Sequence, residues 1–254
     1  MSPARRWLDR ADDPGLERTP FVSARGPYVG RCHARPRRFA REHALERLLR
    51  ELALGFGPQR WWPAETPFEV LVGAILTQNT AWANVERALA SLKARTRLTP
   101  ARLLALREVE LAQLVRSSGY FRVKAKKLRA LSAWYLEVGG LRALAEAPLA
   151  EIRAELLEVW GVGPETADSI LCYGAGRRVV VVDAYTRRLL SRHGFLDAGL
   201  GYEEMRAWLE ERLVASQAVY EEFHALCVRV GYDHCKPTPR CASCVATTPP
   251  GLAH

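Results

Sequence analysis

Leu156-Leu157-Glu158-Val159-Trp160-Gly161-Val162-Gly163-Pro164-Glu165-Thr166-Ala167 is the stretch on which the fold turns. A helical pattern ends near Trp160, and Gly161 and Gly163 let the chain turn tightly with Val162 tucked beneath. Pro164 suits the first position of the next helix, where its missing N–H would have had no partner anyway. Two residues without Cβ leave successive N–H groups bare at a helix start. Orphan donors and helix dipole together favour a phosphate oxygen there. Such a contact is blind to base sequence and only positions a duplex. A plain tight turn between helices accounts for the same residues, and on this stretch alone both readings stand. No strand precedes the glycines, which excludes a dinucleotide-binding turn.

Outward from this hairpin the pattern stays helical. Leu45, Leu48, Leu49 and Leu52 recur at helical spacing, closed by Gly55, Gly57 and Pro58. The spacing predicts helices over 68–76, 82–92, 102–106 behind a Thr99 cap, 108–115, 123–135, 141–145 and 149–159. Beyond the hairpin it predicts 165–173, 183–193, 202–213 and 219–230. The intervals are short and the breakers regular, which describes compact packed helices and not a coiled coil. Val179, Val180, Val181 and Val182 favour extended backbone, but a lone strand would leave its backbone groups unpaired. A buried extended connector between lobes is the expectation, and the fold class is all-α.

With 254 residues and 48% apolar content, the chain can build a real core. Its 37 Lys and Arg against 28 Asp and Glu give +9, which favours phosphate-rich or anionic-lipid partners without choosing between them. No apolar run is long enough to cross a bilayer, and the Met-Ser-Pro-Ala-Arg-Arg start has no apolar stretch behind it. A cytoplasmic, nucleoid-associated protein without membrane contact is expected. Residues 1–40 hold nine arginines among prolines and read as a basic arm, either DNA-touching or merely solvated. Of six cysteines, Cys227, Cys235, Cys241 and Cys244 crowd together near the C-terminus. Local clustering points to a metal site in a reducing compartment and away from a disulfide framework. Four thiolates suit zinc or a cubane iron–sulfur cluster, and the spacing by itself leans to zinc.

The pattern Leu-x-x-Val-Trp-Gly-Val-Gly-Pro-x-Thr-Ala, followed by Val181-Val182-Asp183-Ala184-Tyr185-Thr186-Arg187, resembles the endonuclease III family of helix-hairpin-helix DNA glycosylases. The likeness runs from about Glu42 to Cys244. It implies two helical lobes with a DNA-binding cleft between them: residues 61–178 as a six-helix lobe carrying the hairpin, and 41–60 with 179–254 as the other. It also implies a DNA repair enzyme that flips a damaged base from duplex DNA and cuts its glycosidic bond, acting as a monomer. The cysteine group then reads as ligands of a [4Fe-4S] cluster, with zinc second. The family places its fourth cysteine after the close pair, whereas the fourth here is Cys227, before it.

Residue by residue, the resemblance gives Asp183 the role of the essential aspartate, although a carboxylate at a helix start is also an ordinary cap worth about 1 kcal/mol. Relatives that nick the strand carry a lysine where this chain has Glu165. A carboxylate cannot form an imine, so hydrolysis without strand cleavage is implied, on an alkylated purine in preference to an oxidised pyrimidine or a mismatched uracil or thymine. Lys124, Lys126 and Lys127 could offer weak lyase chemistry, but read in preference as facing phosphate or solvent. Asn79, with Gln78 beside it, aligns with the amide that fills the gap left by a flipped nucleotide, or else forms a turn and cap. Tyr120 aligns with a wedge between bases, or packs in the core. Tyr185 could line the base pocket or pack within its lobe. Gly161, Val162, Gly163, Glu165 and Thr166 complete the DNA-contacting set. A lesion-binding module without catalysis, or a zinc-stabilised structural protein, would use the same hairpin and cysteines differently.

Overall fold

The computed structural model describes residues 44–59 and 61–246, so the basic arm at 1–40 lies outside the described residues. The fold is all-α, and no strand occurs among the described residues. In chain order the helices begin with α1 (Ala44–Phe56), α2 (Pro67–Leu76), α3 (Trp82–Arg95), α4 (Pro100–Ala105), α5 (Glu108–Leu114) and α6 (Phe121–Glu137). They continue with α7 (Leu141–Glu146), α8 (Leu149–Glu158), α9 (Pro164–Ser169), α10 (Ala184–Arg192), α11 (Tyr202–Glu210) and α12 (Gln217–Asp233). The chain divides into two units: Trp62–Val181, and the flanking segments up to Trp61 and from Val182 onward.

In the Trp62–Val181 unit, α2 is the core helix. Thr66 caps it by accepting from the Glu69 N–H at 3.2 Å, and Pro67 opens its first turn. Residues 68–76 are all buried, the pattern of a helix packed on every side. The one charge among them, Glu69, meets Lys93 of α3 at 2.6 Å. Lys124 of α6 is 2% exposed, a correction to the expectation that it faces phosphate or solvent. Its Nζ donates to the Leu76 carbonyl at 2.8 Å and the Ser118 carbonyl at 2.6 Å. Those carbonyls end α2 and the 3₁₀ turn Arg116–Ser118, where the last turn has no intrahelical donor. Arg177 does the same for α7, donating to the carbonyls of Leu144, Ala145 and Ala147. After α9 the chain widens into a π turn, Ile170–Gly174, which packs against α2.

Val179 to Val182 lie outside any helix or strand and are 0–3% exposed, so the four valines bury their side chains without joining a sheet. In the flanking unit, α1 turns Leu45, Leu48, Leu49 and Leu52 inward against α12. Each such leucine contributes about 1.5–3 kcal/mol by leaving water. Helices α10 and α12 pack closely because residue 231 is glycine: a Cβ there would lie 2.3 Å from the Tyr185 ring.

Candidate functional site

The hairpin joins α8 to α9 through Gly161, whose φ of +89° is costly for a residue bearing a side chain. A Cβ there would also strike the stem of Lys127 at 2.4–2.7 Å. Gly163 differs. Its backbone is extended, and nothing lies within 4 Å of where a Cβ would stand, so packing does not demand a glycine. That position leaves bare backbone facing outward. Val162 and Thr166 are 6% and 8% exposed, and both side chains face the protein interior. Glu165 is exposed in the first turn of α9, where the dipole favours a carboxylate. Behind the hairpin, Arg153 of α8 grips the fully buried Asp168 of α9 through two hydrogen bonds of 2.6 and 3.0 Å.

Gln78 is brought to this hairpin. Its Nε2 donates to the Gly161 carbonyl at 3.1 Å and the Thr166 hydroxyl at 3.0 Å, and its Oε1 accepts from Lys127 Nζ at 2.6 Å. The Gln78 amide therefore braces the hairpin, while its neighbour Asn79 is exposed at a φ of +55°. Tyr120 is 70% exposed at a φ of +45°, so its ring is not in the core. Left-handed backbone on two non-glycine residues is strain of the kind that collects at functional loops. Trp160, 56% exposed beside Gly161, was not distinguished by the sequence pattern.

In the flanking unit Asp183 precedes α10 and caps it. Its Oδ1 accepts from the Thr186 N–H at 2.7 Å, and its Oδ2 lies 3.7 Å from His224 Nε2 of α12. The carboxylate side chain is 11% exposed. Burial pushes its pKa up, but His224 and the Thr186 N–H and hydroxyl outweigh that and hold it below the usual aspartate value. Asp183 is thus a cap and an ionised group at once. His224 is a site residue the sequence reading missed. Its signal was an imidazole inside an otherwise apolar stripe formed by Tyr220, Phe223, Cys227 and Val230. Tyr185 packs its ring on Gly231 beneath the Arg188 guanidinium, 5.0 Å away.

The cysteines do not assemble as expected. Cys235, Cys241 and Cys244 line one cavity of about 420 Å³ together with His193 and His234. Cys227 does not line it. That thiol is fully buried beside Thr186, and burial, with the Asp183 charge, drives its pKa well up. Among the described residues no group of three or more His, Cys, Asp or Glu is arranged to hold a metal ion. The four-thiolate set of Cys227, Cys235, Cys241 and Cys244 does not fit a [4Fe-4S] cluster or tetrahedral zinc in this geometry. No described helix is long and apolar enough to cross a membrane.

Residues 72–214 match the HhH-GPD superfamily of base excision DNA repair proteins. A protein of Methanocaldococcus jannaschii, named as a candidate DNA repair glycosylase, is 42% identical over 74% of this chain and 87% of its own length. The 3-methyladenine DNA glycosylase of H. pylori, solved with 1,N6-ethenoadenine, superposes with a TM-score of 0.65 at 28% identity, covering 75% of this chain and 96% of that one. An endonuclease III solved in a non-covalent complex with DNA gives a TM-score of 0.70 at 26% identity, over 81% of this chain and 93% of that one.

Proposed function

The chain belongs to the HhH-GPD superfamily of base excision DNA repair proteins and is a DNA glycosylase, and from that premise we propose that it hydrolyses the glycosidic bond of an alkylated purine in duplex DNA, leaving an abasic site without nicking the strand. The observation that carries this reading is Asp183: a nearly buried carboxylate, fixed by its helix and held ionised. Breaking the bond between base and sugar leaves positive charge on the sugar, as in glycoside hydrolysis. A preorganised negative charge stabilises that state more than it stabilises the neutral ground state, which is what lowers the barrier. The same carboxylate can orient the attacking water. None of this is possible inside stacked bases, so the nucleotide leaves the stack first.

Hydrolysis without strand cleavage is supported by Glu165, which stands where an imine-forming amine would be needed. Lys124 is no substitute, being buried with its ammonium on two backbone carbonyls. Lys127 is engaged by Gln78. Exposed Asn79 and Tyr120 support gap filling and wedging respectively, and the bare backbone at Gly163 supports a phosphate contact. Preference for an alkylated purine is supported by the likeness to the H. pylori 3-methyladenine glycosylase. Cys235, Cys241 and Cys244 enter no step of the reaction.

The test is a panel of duplexes carrying 1,N6-ethenoadenine, 7-methylguanine, an oxidised pyrimidine, or uracil or thymine opposite guanine. Free base and strand breaks are measured separately, with borohydride present to trap any imine. Wild type is expected to release alkylated purine, leave the strand intact and trap no covalent complex, while Asp183→Asn releases nothing. Borohydride trapping, or release confined to oxidised pyrimidines, would sink the proposal. Tight lesion binding with no release from any duplex would favour a non-catalytic recognition module.

A further inference from the structure

The carboxylate of Asp183 is approached by Thr186 of α10 and His224 of α12. Oδ1 accepts from the Thr186 N–H at 2.7 Å, and because the carboxylate is planar any swing about the Cβ–Cγ bond moves Oδ2 together with Oδ1. His224 stands on the Oδ2 side. It is 5% exposed, belongs to α12, which packs against α10, and presents Nε2 3.7 Å from Oδ2. This distance lies just beyond a formed hydrogen bond. Contacts of this kind in free enzymes commonly tighten when substrate is bound. Beside the carboxylate also lie the Thr186 hydroxyl and the Cys227 thiol, the latter at most a weak S–H donor. The imidazole is therefore the strongest donor available to Oδ2.

We propose that His224 is a positioning residue for the glycosylase reaction, its Nε2–H drawing Oδ2 into one orientation so that the carboxylate meets the sugar already aimed. This rests on the reading of Asp183 as the catalytic carboxylate. A charge aimed beforehand needs no reorganisation as the sugar becomes positive, and that is where the rate gain arises. His224 touches neither base nor sugar in this scheme; it acts only through Asp183.

Two substitutions separate aiming from packing. His224→Gln keeps an N–H near the place of Nε2, whereas His224→Phe keeps a ring in the cavity and removes the donor. Single-turnover base release is measured on whichever duplex of the panel above wild type processes, alongside affinity for a duplex bearing a tetrahydrofuran abasic-site analogue. His224→Phe is expected to slow release about tenfold to hundredfold, the effect of losing a hydrogen bond to a charged group, with affinity unchanged. His224→Gln is expected to stay within about threefold of wild type, by retaining that donor. Release by His224→Phe at the wild-type rate, or equal losses in both variants, overturns the inference. If circular dichroism shows that the Phe variant does not fold, His224→Leu replaces it under the same criteria. Asp183→Asn, assayed in parallel, tells the two claims apart. A dead Asp183→Asn beside a fully active His224→Phe sinks only the role of His224. An active Asp183→Asn, or a wild type that releases no base at all, sinks the catalytic reading and this inference with it.

Discussion

Buried charges in the two units are handled in opposite ways. In the Trp62–Val181 unit Lys124 lies on two carbonyls, Asp168 sits in a two-pronged grip from Arg153, and Glu69 is met by Lys93 at 2.6 Å. These partners are protein groups at full hydrogen-bonding distance, and they offset the cost of removing a charge from water. In the flanking unit Asp183 has one oxygen bonded at 2.7 Å to a backbone N–H and the other 3.7 Å from the His224 imidazole. Its acceptor capacity is incompletely used. A fully matched buried charge organises the fold, while a buried charge kept ionised yet partly unmatched is free to act on something that arrives later. Burial alone does not separate the two; the partners do.

The largest effect that tests this contrast is on Asp183 itself. Asp183→Asn keeps the shape and a good helix cap but removes the negative charge, so thermal stability should change by at most about 1 kcal/mol. Base release should fall by at least about 10²–10³-fold, the scale of losing a preorganised electrostatic contact. A variant that lost stability and kept activity would place Asp183 with the structural charges. Asp168→Ala should behave in the reverse sense. It leaves the Arg153 guanidinium without its buried partner and should cost about 3–5 kcal/mol in urea unfolding. Activity per folded molecule should persist, because the damage is to the brace behind the hairpin. Loss of activity without loss of stability in Asp168→Ala would erase the distinction.

Which of these features were legible in the sequence follows the same line. Helix existence was readable from periodicity and breakers, and the segment expected over 82–92 is Trp82–Arg95 while that over 149–159 is Leu149–Glu158. Ends were less readable, because local bonds decide them. Helix α6 begins at Phe121, directly after a left-handed Tyr120, and not at residue 123. The hairpin and Asp183 were legible since both depend on local chemistry: glycine geometry, proline at a helix start, a cap residue. His224, the Arg153–Asp168 pair and the burial of Lys124 were not, since each depends on a partner at least fifteen residues away in the chain. Cys227 misled for a related reason. Spacing measures distance along the chain, and a thiol on the inner face of α12 points where the helix dictates.

Lys124 gives a smaller and more specific test. Lys124→Met fills similar space but leaves the Leu76 and Ser118 carbonyls to find other donors, at about 1–3 kcal/mol for each left unmet. For a chain of this size the melting temperature should fall by about 2–4 °C per kcal/mol. The ammonium also carries a pH signature. Burial, and then the nearby Lys127 charge, lower its pKa from the ordinary 10.5 to about 8. Between those two values the unfolded chain binds the proton that the folded protein has released, so stability must rise with pH across that window. Wild type measured against Lys124→Met should therefore gain stability from about pH 8 to 10.5 and show a level difference below it. A flat difference throughout would mean that the folded protein does not shift this amine, and that its carbonyl partners compensate for burial completely.

The smallest effect concerns Cys227, which shares the corner of Asp183 and His224. Its thiol is fully buried, and burial first, then the Asp183 charge, push its pKa well up. A thiol in that state is a small apolar filler. Cys227→Ala should leave the iron and zinc content of the purified protein unchanged. It should cost about 1 kcal/mol of stability, near the centre of the range for single substitutions. Cys241→Ala and Cys244→Ala serve as the comparison, because both residues line the cavity that Cys227 does not. If the protein binds metal and Cys227→Ala alone releases it, the helix must turn this thiol toward the cysteine cavity. Asp183 would then lie beside a metal-bound thiolate and not a neutral thiol, and its ionisation could no longer be attributed to His224 and Thr186.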